Sequence, residues 1–187
     1  MEAELDFKVL YDRMIGEINA LGERVACERC SSALLLAQGS VSGLVRADTR
    51  DVDAVRAALI KLGWEKDDWN LLVLPEDSAQ EGVLKAVESI DPSVIVALDC
   101  ASSLKLLEAS PNVFPLEVSS KQAASSYENA RTPYKDGKNA VRQMVESGPV
   151  AATVNGRLCI LFPDLDALLD DRPSKQIAWR MLKLLRA

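Results

Sequence analysis

Apolar positions along the chain fall into two patterns. Phe7, Leu10, Met14, Ile18, Leu21 and Val25 recur at intervals of three and four, which places them on one face of a long first helix. Val52, Val55, Leu59 and Leu62 repeat that spacing, with Thr49 or Asp51 able to cap the start and Gly63 able to take the left-handed turn at the end. Val83, Leu84, Val87 and Ile90 predict another helix, closed before Pro92. Between these lie short continuous apolar runs, as buried parallel strands show: SALLLAQG, with a strand over residues 33–37, then DDWNLLVLP, then PSVIVALD.

Asp99 or Ser102 can cap a short helix that follows the third run and ends near Glu108, and NVFPLEV predicts a further short strand. The polar stretch 119–147 reads as loop with one or two helices. VAATV and RLCILF, joined by Asn155 and Gly156, predict a hairpin, because Asn-Gly tolerates the positive φ angles of a type I′ turn. A last amphipathic helix covers residues 174–185. Strands alternating with helices imply an α/β domain built on a parallel sheet covered on both faces, and 187 residues are enough for one such domain spanning 1–187.

In such sheets a ligand sits outside the carboxyl ends of the strands, near the point where strand order reverses. That directs attention to Gln38, Gly39 and Ser40, to Asp99 with Cys100, and to Phe162 and Asp164. The chain contains no histidine, so neither Cys100 nor any serine has the usual activating base. The net charge of −6 disfavours non-specific nucleic-acid binding, without fixing where the charges lie. The acidic, interrupted N-terminus does not resemble a signal peptide, and no run approaches a membrane span, so a cytoplasmic protein is expected. Four cysteines are too few for a secreted disulfide framework. Asp164, Asp166, Asp170 and Asp171 lack the glycine and bidentate glutamate of a calcium loop and read as solvated helix caps.

Several segments together resemble the uracil-DNA glycosylase superfamily, in particular its iron–sulfur branch, family 4: CERC after a first helix, DDWNLLVLP, IDPSVIVALDCASSLKLL and NGRLCILFPDLDALLDDRPSKQIAW. The resemblance covers nearly the whole chain. It implies a three-layer α/β/α sandwich around a central, mainly parallel four-stranded sheet, and a pocket that holds a flipped base. The functional positions depart from the family pattern. Gln38 stands where the resemblance expects the acid that works on water, and an amide is no general base. Asp164, or in a gapped alignment Phe162, takes the place of the histidine that stabilises the departing uracil anion. Of the four cysteine ligands a cubane cluster needs, only Cys27 and Cys30 match, as relics, so no cofactor or metal is expected. The resemblance therefore implies a catalytically inactive protein that keeps the fold as a binding module for a small molecule or a protein. The alternative is an active uracil-excising glycosylase that uses Asp164 as its acid or base.

Overall fold

In the computed structural model of the chain, the described residues are 24–26, 33–38, 49–65, 69–74, 80–116 and 137–186. The expected first helix lies outside them, except that Val25 belongs to a strand. Also outside are Cys27, Cys30, Gly39, Ser40 and residues 117–136, together with the side chain of Gln38.

Seven strands form one mixed sheet: β1 (Arg24–Ala26), β2 (Ala33–Gln38), β3 (Trp69–Leu74), β4 (Val94–Ala97), β5 (Val113–Pro115), β6 (Val150–Val154) and β7 (Arg157–Leu161). Their spatial order is β1-β3-β2-β4-β7-β6-β5. The four strands β3, β2, β4 and β7 at its centre run parallel, with Leu71 beside Leu35, Leu34 beside Ile95, and Ile95 beside Cys159. The sheet is thus larger than the four strands expected. β1 pairs antiparallel with β3, Val25 opposite Leu72, and occupies an edge that would otherwise present unpaired backbone groups. At the other side the β6–β7 hairpin adds one antiparallel strand, and β5 pairs antiparallel with β6 and so runs in the same direction as β7.

The helices are α1 (Arg50–Lys61), α2 (Gln80–Ile90), α3 (Cys100–Ala109), α4 (Gly137–Ser147), the single turn α5 (Leu165–Leu168) and α6 (Arg172–Leu182), which tightens into a 3-10 turn at Lys183–Leu185. Because side chains alternate across a strand, each continuous apolar run supplies both faces of the sheet. Leu34, Leu72, Leu74, Ile95, Ala97, Cys159 and Leu161 meet Val83 and Val87 of α2, Leu106 of α3 and Val141 and Val145 of α4. On the opposite face Leu35, Leu71, Val73, Val96, Ile160 and Phe162 meet Val55 and Leu59 of α1 and Met181 and Leu182 of α6. The α/β class is as the periodicity predicts.

The ends of the elements follow local chemistry. Asp99 caps α3 by accepting from the Ser102 backbone N–H at 2.8 Å. Thr49 is the N-cap residue of α1 without a side-chain cap bond, and Asp51 is buried with its Oδ1 accepting from Val52 N at 2.9 Å. Gly63, at φ 100°, ends α1, while Asn155 and Gly156, at φ 49° and 84°, make the hairpin turn.

The chain leaves β2 for β3 on one side and returns to β4 on the other, so strand order reverses between β2 and β4. α1 lies on one face and α2 on the other. The carboxyl ends of β2 and β4 therefore flank the crevice where an open α/β sheet offers room for a ligand.

Candidate functional site

The described part of this end is built from the turns after β4 and β7. Phe162 N donates to Ala97 O at 3.0 Å, Cys100 N to Pro163 O at 2.7 Å and Leu165 N to Leu98 O at 2.9 Å. Asp99 and Asp164 face each other as an isolated antiparallel bridge. The two loops thus stay hydrogen-bonded beyond the parallel β4–β7 ladder, with the chain direction reversed at Asp99 and Asp164, and lock residues 97–100 to 162–165.

Asp99, Cys100, Phe162 and Asp164 are brought together in the backbone, but their side chains have different duties. Asp164 is exposed, and its Oδ1 accepts from Ala167 N at 3.0 Å, which caps α5. Asp99 caps α3, and its carbonyl also accepts from Ser102 Oγ at 3.1 Å. Phe162 is the largest of the fully buried side chains and sits in the core beneath α1 and α6. Its carbonyl accepts from the buried Ser103 Oγ at 3.1 Å. Cys100 packs against the opposite core, and burial, assisted by Glu146 and Asp99, pushes its thiol pKa up. Gln38 contributes its backbone to β2, paired with Leu74.

The acidic run after β7 divides its work. Asp171 caps α6 through Ser174 N at 3.0 Å, and that hydrogen bond holds its carboxyl below the usual carboxylate range. Asp166 and Asp170 do not cap; they grip Arg50 at the start of α1, at 2.8 and 2.9 Å, and Arg50 also donates to the Asp166 carbonyl. Asp170 and Arg50 are separated by 120 positions, so no local pattern pairs them. Arg157 carries no local signal for the same reason: at the start of β7 it reaches Glu88, Asp91 and the Pro92 carbonyl, and ties the end of α2 to the hairpin. Among the described residues no group of three or more His, Cys, Asp or Glu side chains is placed to hold a metal.

An open cleft of about 380 Å³ lies at the other end of the sheet, between Trp64, Ser93, Gly156 and Leu185. Its walls are mainly strand starts and the chain's last turn, and the indole N–H of Trp64 is already given to Leu185 O at 2.6 Å. Cys159 is a buried small hydrophobe whose thiol pKa is raised strongly by desolvation. Among the described residues no helix is long and apolar enough to cross a membrane. A scan against protein-family models and a search of the curated proteins return no match for the chain.

Proposed function

We propose that the chain is a catalytically retired relative of the uracil-DNA glycosylases. On this reading the four central parallel strands descend from that family's sandwich, and the crevice at their carboxyl ends serves as a binding module for a small molecule or a protein. One observation carries the reading: both carboxylates described at the ends of β4 and β7, Asp99 and Asp164, are engaged as helix caps.

Excision of a base builds negative charge on the departing ring, and a catalyst must present donors to it. On this reading Asp99 and Asp164, which stand on paired backbone, would meet such a ring with two acidic side chains instead. The serine hydroxyls in the first turn of α3, those of Ser102 and Ser103, donate to Asp99 O and Phe162 O. Phe162, buried on the far side, offers nothing polar. Losing a single such donor typically costs two to three orders of magnitude in rate, about 3 to 4 kcal/mol.

The competing reading gives Asp164 a catalytic role, which its exposure at the strand ends permits. Asn caps helices as well as Asp does, so Asp164→Asn removes the charge while keeping α5. The test is a base-excision assay on uracil-containing single- and double-stranded DNA with the wild-type chain and this variant. No excision by either is expected. Excision by the wild type that the variant abolishes would establish Asp164 as the acid or base and end the retired-enzyme reading.

A further inference from the structure

The segment from Arg172 to Arg186 carries five of the chain's 22 cations and none of its 28 acids. The remaining residues thus hold 17 cations against 28 acids, and the overall −6 conceals a surface of two signs. Arg172, Gln176, Arg180 and Lys183 follow at steps of four, four and three, which aligns them on one side of α6. All four are exposed, while Ala178, Met181 and Leu182 turn the opposite side into the core. Among the described residues no ion pair joins Arg172, Arg180 or Lys183 to a carboxylate.

Helix stability does not account for the placement. Cations favour the last turn of a helix and oppose the dipole in the first. Arg180 suits that rule, but Arg172 and Lys175 stand in the first turn, which contains no acid. Beside the cations lie the exposed Ile177 and the half-buried Trp179, whose ring carries Lys183 Nζ at 5.5 Å from its centroid. Arginine and tryptophan are among the side chains that most often anchor protein–protein contacts.

We infer that the outer side of α6 is a docking surface for an acidic, helical segment of a partner protein. The cationic row spans about 16 Å, the length of roughly 11 helical residues, and three or so carboxylates spaced four apart would oppose it. A nucleic-acid strand fits less well. Continued past Arg172 along the helix axis, a polyanion would meet Asp170 and Asp171 and be repelled. A membrane surface fits less well too, since the apolar side of α6 that would have to insert is buried against the sheet. The outer side of α6 is a different surface from the strand ends and would dock its partner whether or not that crevice binds anything.

The test is fluorescence anisotropy of a labelled 12-residue helical peptide, with glutamates every fourth residue and one leucine between them, added to the full chain at 50 mM salt. Unlabelled 12-mer oligothymidylate and phosphatidylserine vesicles serve as competitors. Saturable binding of the peptide is expected, weakened at least tenfold by Arg172→Glu with Arg180→Glu. Lys138→Glu with Arg142→Glu, an equal charge change on α4 across the sheet, should leave it within twofold. Absence of binding, equal loss from both double variants, or displacement by the oligonucleotide or the vesicles at lower concentration than by unlabelled peptide would each overturn the inference. Circular dichroism checks that the variants keep the fold.

Discussion

Cys100 is the first residue of α3, where the dipole of the helix favours a thiolate. Burial works against that, and Glu146 and Asp99 add to it, with Arg142 offsetting only part. Desolvation therefore prevails, and the raised pKa means that the reactive anion forms only at alkaline pH. In a chain carrying Cys27→Ser and Cys30→Ser, with Cys159 buried, iodoacetamide should reach Cys100 alone. Its rate should rise through a midpoint above about 8.5, the ordinary cysteine value. A midpoint below about 8 would show the dipole to be in control. At this scale the sequence was legible wherever chemistry is local. Asp99 as a cap and Gly63 as a terminator both follow from their immediate neighbours. Phe162 was not, because one residue decides whether a side chain after a strand faces a crevice or the core, and only the register of β7 beside β4 fixes it.

The elements repeat that division between near and far. The β6–β7 hairpin was legible because Asn155 and Gly156 are a turn in themselves, and Gly156 adopts φ 84°. A Cβ at Gly156 would touch nothing within 4 Å, so Gly156→Ala isolates the backbone cost of a left-handed residue, about 1 to 2 kcal/mol. Gly148 has equally open surroundings and no positive φ, so Gly148→Ala should lie within about 0.5 kcal/mol of the parent. Urea melts of the two variants, read at constant m, make the comparison, and equal losses would refute the turn assignment. By contrast the sequence predicts the end of a helix where β1 stands, since Val25 keeps the helical spacing of the residues before it. What decides its state is the open edge of β3, 45 to 49 positions further along, which a strand of three residues can satisfy with backbone hydrogen bonds. Asp166 and Asp170 depart from the expected role of caps for a similar reason. Their partner, Arg50, arrives from another element, and the clamp joins the start of α1 to α5 and the turn that follows it.

Across the whole molecule one sheet separates two cores that share every central strand, so neither core can dissolve without unpairing the other. The three tryptophans, Trp64, Trp69 and Trp179, all pack on the face of α1 and α6, and their fluorescence therefore reports on that side. Leu106 belongs to the other face, where it is buried between α3 and the sheet. Truncation of such a leucine typically costs about 2 to 5 kcal/mol, from lost burial and the cavity left behind. If the described sheet unfolds as a unit, Leu106→Ala lowers the denaturation midpoint seen by tryptophan fluorescence as much as the midpoint seen by far-ultraviolet circular dichroism. A fluorescence midpoint that stays at the wild-type value while the dichroism midpoint falls would mean that the two faces melt separately. The shared strands make that outcome physically costly: Ile95 of β4, buried on the Leu106 face, lies between Val94 and Val96 of the tryptophan face, and releasing one breaks the hydrogen-bonded register of the others.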